Sequence, residues 1–482
     1  MISRFVKDIG IYGISGILVK GISIILVPFY VRVLSTEDYG IIDLITIVSA
    51  LAGIIFSLEL YQSIARYYSD LGHLERKRHI STVFLYYTVS FILFGLVVYF
   101  FAKPVSLFIF KIPGKENILK IAVISIIINA LFYYFQTVLR YSLKSLKYTI
   151  TNIIFSVTTI CFSIYFVLVL KKGLQGVYFG QIAGGIIGLI PALYFNKEYL
   201  TFSFKFSSLK TLLKFSLPLV PSSLGVYILS YIDRIFIQIF LTLSDLGIYG
   251  IGYRVASVSY LFFGIINASF VPIVYASYKN EDVKYEISKI YRYSFFISLS
   301  SITILSIFTN NILFFLTTPS YYSAYKVIPF LLLSGLFSFF GNLFLGLSIV
   351  KKTKIIAYIS IISALLNIGL NFLLIPYFGI IGASVSTMVS TCVIFLIQLY
   401  FSQKHYFIPL NYKSYLLLFL ISIVFISSNY LLKIGNSYIS IGVNTLLTVI
   451  YLLLCIYLVK IIRLSEIVQF LHLFRNKITI RR

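Results

Sequence analysis

Apolar segments of about 20 residues follow one another through almost the whole chain. A segment of that length, folded as a helix, crosses a hydrocarbon core of roughly 30 Å. Only 11% of the residues are charged and the mean hydropathy is +0.97, whereas about a quarter of a soluble domain is charged. The sequence therefore predicts an all-α integral membrane protein with about fourteen transmembrane helices.

The apolar segments are separated by short loops, and the loops leave no room for a separate soluble domain. The first segment follows Arg4 and Lys7 and has no small-residue cleavage site after it, so we expect it to be retained as a span. The predicted spans are residues 11–31, 41–65, 80–101, 118–139, 149–170, 174–195, 215–240, 247–277, 293–316, 327–350, 355–375, 380–401, 415–432 and 441–460.

Lysine and arginine are distributed unevenly between the two sides of this arrangement. Of the 40 Lys and Arg residues, 28 fall on the side of the N-terminus, nine fall on the other side, and three lie within spans. Because cytoplasmic loops are enriched in Lys and Arg, the bias predicts that both termini are cytoplasmic and that the number of spans is even. We attribute the net charge of +25 to this topology and not to nucleic-acid binding.

An internal repeat relates the two halves of the chain. Leu34–Ile41 (LSTEDYGI) matches Leu241–Ile248 (LTLSDLGI) at an offset of 207 residues. Two further sets of matches follow in the same order. Lys144 and Lys147 match Lys351 and Lys354 at an offset of 207, and Gly173 and Gly176 match Gly379 and Gly382 at 206.

The repeat unit contains six predicted helices, so both copies enter the membrane from the same side. Such repeats are related by an axis along the membrane normal. We therefore predict two six-helix lobes, residues 1–200 and 201–405. Residues 406–482 then hold two additional helices and a basic cytoplasmic tail.

Basic side chains inside spans are costly and are candidate functional residues. Lys20 lies near the middle of the first predicted span, roughly 15 Å from either end at 1.5 Å per residue. That depth predicts that Lys20 faces a wet cavity or a counter-ion. Asp233 and Arg254 are each about seven residues from one connection, so they lie at similar depth and are predicted to form an ion pair. This pair fits either a structural lock or a gate and cation site for substrate, and Arg234 lies beside it.

Two carboxylates in the second predicted span are also candidates. Glu59 could pair with Lys20 on the antiparallel first span, or it could serve as a coupling-ion site. Asp43 stands near the opposite end of the span, and we expect it to lie close to the membrane interface. The cysteines and histidines have no spacing typical of a metal site, so we expect neither a metal nor another cofactor.

Two motifs resemble a known family. The stretch Val27–Gly40 (VPFYVRVLSTEDYG) resembles the signature that follows the first helix of polysaccharide transport proteins. Asp233–Ile237 (DRIFI), followed by Gly247–Tyr249 (GIY), resembles the counterpart in the second half. These proteins belong to the multidrug/oligosaccharidyl-lipid/polysaccharide exporter superfamily. The resemblance covers about the first 400 residues, and the two additional helices also suit the family.

The resemblance implies a Wzx-type flippase with the two-lobed fold of multidrug and toxin extruders, working by alternating access. Such proteins move an undecaprenyl-diphosphate-linked oligosaccharide from the cytoplasmic to the periplasmic leaflet of the bacterial inner membrane, for O-antigen or capsule synthesis. The family's basic cavity residues would correspond here to Lys20 and Arg254, with Arg234 as a third. A diphosphate with a sugar head cannot cross hydrocarbon unaided, and cations would hold it by charge-assisted hydrogen bonds.

The same resemblance sets the expected partners. They are the lipid-linked oligosaccharide, membrane lipids and the polysaccharide polymerase machinery, and we expect a monomer. The sequence does not distinguish between two energy sources for transport, namely a coupling proton or sodium ion and the membrane potential.

Three alternative functions remain. A cation-coupled small-molecule exporter on the same fold would need deep acidic groups, for which Asp43, Glu59 and Asp233 are the candidates. A flippase for lipid II or a related peptidoglycan precursor would differ in substrate but not in mechanism. A membrane-embedded polymerase or ligase is disfavoured because every loop is short.

Overall fold

The structure is a computed structural model that describes residues 21, 24–68, 70–201, 203–277, 283–350, 352–431 and 438–459. Within those ranges the regular elements are all helices. Ten of them are long and apolar enough to cross a membrane, and Tyr412–Ser428 is a shorter apolar helix. The chain is thus a multi-pass, all-α membrane protein, as predicted. The count of fourteen spans stays a prediction, because most of residues 11–31 lies outside the described ranges.

The first of two compact units contains the described residues of Met1–Arg254 together with Phe372–Ala383. The last residues of its final helix, from Val255 onward, belong to the second unit. Its helices are α1 (Val27–Tyr30), α2 (Thr36–Ser57), α3 (Leu60–Tyr67), α4 (His73–Phe100), α5 (Ala102–Phe110), α6 (Glu116–Tyr141), α7 (Ser145–Ile164), α8 (Gly173–Asn196), α9 (Phe206–Ser216), α10 (Val220–Phe240) and α11 (Leu243–Ser257).

Close helix packing in this unit depends on small residues. Helices α6, α7 and α8 pack on one another, and Gly180, Gly184 and Gly188 line the face of α8 that meets α7. A Cβ on Gly184 would lie 2.6 Å from the Cα of Thr159, so only glycine permits this approach. Small residues at such spacing let membrane helices pack through backbone contact, since apolar side chains gain little by leaving lipid.

The second compact unit contains Val255–Asn371 and the described residues of Ser384–Arg482. Helix α13 packs on several neighbours, namely α12, α15, α18 and α19. The helices that follow α11 are α12 (Ser259–Ser277), α13 (Val283–Ile307), α14 (Thr309–Leu316), α15 (Ile328–Leu343), α16 (Gly346–Ile349), α17 (Thr353–His405), α18 (Tyr412–Leu431) and α19 (Tyr438–Val459).

The two C-terminal helices are fixed to this unit by polar contacts. Tyr451 on α19 has its hydroxyl 3.0 Å from that of Ser422 on α18 and 3.3 Å from that of Ser300 on α13. Asn311 on α14 donates to Ser440 on α19 over 2.7 Å. Such interhelical hydrogen bonds stabilise helix pairs within lipid.

Two glycines that the predicted repeat matches share a left-handed backbone φ. Gly173 and Gly379, matched in the sequence, both have left-handed φ values, 54° and 58°. Gly379 interrupts α17, which is therefore two helices joined at a kink, as the predicted spans 355–375 and 380–401 require. Only glycine adopts this conformation without a steric penalty. The division into lobes at residues 200 and 405 stays a prediction.

Candidate functional site

Helices α2 and α11 start at equivalent points of the two repeats and cross each other there. A Cβ on Gly40 would lie 2.1 Å from the carbonyl oxygen of Leu243, and a Cβ on Gly247 would lie 1.9 Å from that of Thr36. Gly40 is equivalent to Gly247, and Thr36 is equivalent to Leu243, at the offset of 207 residues. The two contacts are therefore reciprocal, because the glycine of each repeat packs on the first helical residue of the other. The hydroxyls of Thr36 and Ser244 lie 2.7 Å apart beside them. We call these contacts the crossing.

The local sequence explains why both helices begin where they do. The Ser35 hydroxyl accepts the Asp38 N–H over 3.1 Å, and the Asp38 carboxylate accepts the Ser35 N–H over 3.1 Å. In the second repeat Thr242 and Asp245 make the same pair of bonds, over 3.1 and 3.2 Å. Each capping box satisfies N–H groups that a helix start leaves without partners. The repeated motif thus sets the start of both helices and brings the two glycines together.

One carboxylate at the crossing faces two arginines. The guanidinium of Arg254 donates from Nη2 to Oδ1 of Asp43 over 2.7 Å, and Nε of Arg234 lies 3.7 Å from Oδ2. The first contact is a charge-assisted hydrogen bond, while the second is an ion pair too long for a hydrogen bond. Asp43 is only 6% exposed. Gly250 makes space for it, since a Cβ there would lie 2.2 Å from Oδ2.

Aromatic rings hold the two arginines in place. The Arg234 guanidinium lies 4.1 Å from the ring centroid of Tyr253 and 5.4 Å from that of Tyr231. The Arg254 guanidinium lies 5.1 Å from the ring centroid of Tyr39. A cation over a ring face is stabilised by about 0.5–2 kcal/mol, and more strongly as water is removed. The rings therefore compensate part of the desolvation of both guanidinium groups.

The predicted ion pair between Asp233 and Arg254 is wrong, because each side chain has a different partner. Arg254 pairs with Asp43, while the buried Asp233 carboxylate accepts the Tyr249 hydroxyl and the Arg234 backbone N–H. Asp233 and Arg254 do lie on consecutive helices, but equal depth does not fix which way a side chain points. The carboxylate that faces Arg254 comes from α2, 211 residues away.

These four side chains, Asp43, Asp233, Arg234 and Arg254, form what we call the ion cluster. It contains two carboxylates and two guanidinium groups, so its formal charges balance. Removing a single member would leave a buried charge without compensation, which is strongly destabilising. The arrangement can hold α2 against α10 and α11.

A second set of contacts joins the first half to the end of α10. Lys111 donates from Nζ to the Gln238 carbonyl over 3.1 Å, and Gln238 donates from Nε2 to the Phe110 carbonyl over 3.2 Å. Lys115 lies 3.6 Å from the Glu37 carboxylate. The first two contacts join the end of α5 to the end of α10, and the third joins α2 to the residue before α6.

The remaining predicted residues lie elsewhere. Lys20 falls outside the described residues, so its predicted pairing with Glu59 stays a prediction. Glu59 is buried at the junction of α2 and α3 and lines a separate cavity. Among the described residues, no group of three or more His, Cys, Asp or Glu side chains could hold a metal ion.

Sequence reasoning did not foresee the central role of Asp43. One signal for it was present in the repeat, since position 43 corresponds to Gly250 at the offset of 207. A charge in one copy, with glycine at the equivalent position of the other, marks a place where one helix makes room for the side chain of its counterpart.

The comparisons with known proteins agree with this architecture. The family model described as "Polysaccharide biosynthesis protein" matches residues 5–278, more than half of the chain. A protein of Haloferax volcanii named "Probable low-salt glycan biosynthesis flippase Agl15" is 27% identical over 239 residues. That match covers 48% of this chain and 50% of the relative, so the chain spans about half the length of that protein.

Two solved structures share the fold over most of its length. The structure titled "Lipid II flippase MurJ, inward closed conformation" has a TM-score of 0.66 and 16% identity, covering 92% of this chain and 98% of the other. An inward-facing MATE-family multidrug resistance transporter has a TM-score of 0.64 and 14% identity, covering 80% and 94%. At these identities the likeness shows the fold alone.

Proposed function

This chain belongs to the polysaccharide biosynthesis protein family of the multidrug/oligosaccharidyl-lipid/polysaccharide exporter superfamily, and from that premise we propose that it is a lipid-linked glycan flippase. Its substrate in this proposal is an undecaprenyl-diphosphate-linked oligosaccharide. The chain carries it from the cytoplasmic to the outer leaflet of the bacterial cytoplasmic membrane, for O-antigen or capsule assembly. Both termini lie in the cytoplasm, as the distribution of Lys and Arg indicates.

The observation that carries the proposal is the crossing with its ion cluster. Alternating access requires an element with two discrete arrangements. Gly40 and Gly247 pack on backbone, and Asp43 binds Arg254 across the same helices. With the orientation proposed above, this contact lies towards the outer face. Its formation closes that side, and its separation opens a path to the outer leaflet.

The ion cluster also supports a role for the substrate diphosphate. Arg234 lies near Asp43 without a hydrogen bond between them, so its donors are the more easily recruited by an incoming anion. A diphosphate carries more negative charge than one carboxylate and offers several acceptor oxygens for guanidinium groups. Competition between the diphosphate and Asp43 for Arg234 and Arg254 would weaken the crossing when substrate is present, and Lys20 is proposed as a further cation.

The proposal also covers the activity of the protein, its oligomeric state, its energy source and the position of the lipid tail. The protein transports and forms no glycosidic bond, and it acts as a monomer beside the polymerase that uses its product. Transport is driven by a coupling proton or sodium ion or by the membrane potential. The polyprenyl tail stays in lipid, because hydrocarbon gains nothing by leaving it, while the diphosphate and sugars need the polar path.

The test follows the lipid-linked oligosaccharide in cells that lack the protein. Its exposure on the outer leaflet is measured with a membrane-impermeant oxidant of sugar hydroxyls. We expect accumulation on the cytoplasmic leaflet and loss of surface polymer, both reversed by the wild-type gene and not by Asp43→Ala. Asp70→Asn is the matched control, because Asp70 forms an exposed pair with Arg66. Normal polymer with altered drug sensitivity would contradict the proposal and favour a small-molecule exporter.

A further inference from the structure

An aromatic cavity lies within the second compact unit, and neither the crossing nor the ion cluster uses it. Its volume is about 510 Å³, which is in the range of ligand pockets. Helices α13, α15, α17 and α18 each contribute to its wall, through Phe295, Phe337, Phe395 and Phe419 respectively. The rings pack on one another, and the centroids of Phe337 and Phe395 are 5.9 Å apart. We call this cavity the aromatic slot.

The aromatic slot opens at apolar side chains on the surface of the protein. Leu396 on α17 and Leu416 on α18 both line it, and they are 54% and 59% exposed. Helices α13, α15 and α17 are long and apolar enough to cross a membrane, so apolar side chains exposed along them face the hydrocarbon of the bilayer. A hydrocarbon chain can therefore enter the slot from the lipid.

A polar pocket of about 200 Å³ adjoins the aromatic slot, and Tyr415 lines both. Lys289 and Arg292 on α13 form one side of the pocket, and Asn411 and Ser414 at the start of α18 form another. Cationic groups beside amide and hydroxyl donors are suited to a phosphate group, which offers several charged acceptor oxygens. The pocket and the slot thus place anion ligands next to an apolar cavity.

Arg292 is held in place by the residue that follows it. Its Nη2 donates to the Tyr293 hydroxyl over 3.2 Å, and its guanidinium lies 5.1 Å from the centroid of that ring. A guanidinium has five N–H donors in a planar fork that matches phosphate, and this hydrogen bond uses one of them. Lys289 adds a second positive charge, although its Nζ lies 2.9 Å from the Glu286 carboxylate.

Further positive charge surrounds the aromatic slot. Lys413 lines the slot itself. Lys404 lines a neighbouring pocket, which shares Leu396 and Tyr412 with the slot. Residues 401–419, all of them described, contain no Asp or Glu. The rim of the slot therefore attracts negative charge.

The polar pocket and the aromatic slot follow one another in depth. On α13, Arg292 precedes Phe295 by three residues, or about 4.5 Å along the helix. On α18, Ser414 precedes Phe419 by five residues, or about 7.5 Å. With the orientation proposed above, this end of both helices faces the cytoplasm. The polar pocket then lies at the level of the lipid headgroups, and the slot lies beneath it within the hydrocarbon.

The C-terminal residues of the chain itself would be a poorly matched occupant. Residues 460–482, which lie outside the described ranges, contain six Lys and Arg residues and one Glu. Their positive charge would be repelled by the cations of the pocket and the rim. An occupant with a hydrocarbon chain and a negative charge fits both the slot and the pocket.

We propose that the aromatic slot and the polar pocket together bind one anionic diacyl phospholipid of the cytoplasmic leaflet. One acyl chain occupies the slot, and Arg292, Lys289 and Asn411 bind the headgroup phosphate. Basic pockets between membrane helices on the cytoplasmic side are suited to anionic headgroups. Hydrocarbon gains little by moving from the bilayer into an apolar slot, so the charged headgroup decides the selectivity. The bound lipid joins α18 to α13, whichever molecule the protein transports.

The experiment measures lipid binding to the purified full chain in detergent micelles by native mass spectrometry, with thermal unfolding in parallel. The probes are dioleoyl phosphatidylglycerol and dioleoyl phosphatidylcholine, which share the phosphate and the acyl chains and differ in net charge. We expect the wild type to bind one phosphatidylglycerol about fivefold more tightly than phosphatidylcholine, with a rise in Tm of about 2 °C or more. Inorganic phosphate at the same concentration should not raise the Tm, because it has no chain to fill the slot.

Two variants separate the headgroup contacts from the acyl-chain contacts. Arg292→Gln should reduce the preference for phosphatidylglycerol to about twofold or less, because a cation is lost from the pocket. Cys392→Phe should weaken the binding of both lipids, because Cys392 lines the slot and a larger side chain would fill it. Arg140→Gln is the matched control and should bind as the wild type does. Arg140 is exposed at the end of α6, and its guanidinium also lies over the ring of the next residue, 6.0 Å from the Tyr141 centroid.

The wild type alone can overturn the proposal, even if neither site variant folds. Equal binding of the two phospholipids, or an equal rise in Tm with inorganic phosphate, would show that no anionic phospholipid site exists. An equal loss in Arg140→Gln and Arg292→Gln would show attraction to the whole basic face and not to this pocket. Displacement of phosphatidylglycerol by an equimolar amount of undecaprenyl phosphate would assign the slot to a polyprenyl tail and overturn the phospholipid.

Discussion

The Asp43 carboxylate accepts a hydrogen bond from Arg254 over 2.7 Å, although 211 residues separate them in the chain. The bond joins α2 of the first repeat to α11 of the second. Both groups are largely removed from solvent, so the bond combines charge with low local dielectric and is correspondingly strong. It lies beside the reciprocal contacts of Gly40 and Gly247, so close backbone packing and an ion pair join the two repeats at the same place.

Single and double substitutions should reveal the charge balance of the ion cluster. Asp43→Asn leaves it with one excess positive charge, and Arg254→Gln leaves one excess negative charge. Each should destabilise the protein by about 3–5 kcal/mol, because a buried charge loses its partner. The double variant restores neutrality, so its loss should be smaller than the sum of the two. Denaturant unfolding in detergent measures all three, and additive losses would contradict the pairing.

Alanine at the crossing should separate the two helices. A Cβ on Gly40 or Gly247 meets backbone oxygen, which cannot move aside as a flexible side chain can. We expect each alanine variant to lose about 1–3 kcal/mol of stability and to lower oligosaccharide transport at least tenfold. Gly225→Ala is the matched control on α10, since a Cβ there meets nothing within 4 Å. Equal behaviour of all three variants would show that the crossing is not closely packed.

A disulfide should lock the crossing. The hydroxyls of Thr36 and Ser244 are 2.7 Å apart. Their Cβ atoms are therefore at most about 5.5 Å apart, and a small adjustment brings them to the separation of about 3.5–4.5 Å that a disulfide needs. In a background with Cys161, Cys392 and Cys455 replaced, we expect Thr36→Cys with Ser244→Cys to cross-link under mild oxidation and to stop transport. Reductant should restore transport.

The single-cysteine variants are the control for this experiment. They should transport normally under oxidation, because neither has a partner thiol at the crossing. Full transport by the cross-linked double variant, with the disulfide verified by mass spectrometry, would show that transport does not need this contact to open.

The cation hypothesis for the substrate predicts losses at two separate positions. Lys20→Ala and Arg254→Ala should each lower transport about tenfold or more, since a hydrogen bond to a charged group contributes about 1.5–3 kcal/mol. Lys20→Arg should retain most transport because the charge is kept. The assay is outer-leaflet exposure of the lipid-linked oligosaccharide at matched protein levels. Wild-type rates in both alanine variants would contradict the diphosphate site.

The two motif copies show how far local sequence reasoning reaches. Ser35 with Asp38 and Thr242 with Asp245 determine helix starts through bonds within four residues, so the repeat and its register could be predicted from the chain. Gly379 likewise marked the division of α17, because its left-handed φ suits glycine at that turn. These features depend on neighbouring residues alone.

The partner of Arg254 could not be predicted from local sequence. Depth along a span follows from counting residues, and it placed Asp233 and Arg254 correctly on consecutive helices. The direction in which each side chain points cannot be obtained by counting residues. In a helix that is apolar on every side, no hydrophobic stripe marks the face that packs on the protein. The sequence by itself determined an all-helical membrane protein, its repeat and its family. Only the tertiary structure decided that Asp43 binds Arg254 and that Glu59 faces a cavity, because long-range packing selects those partners.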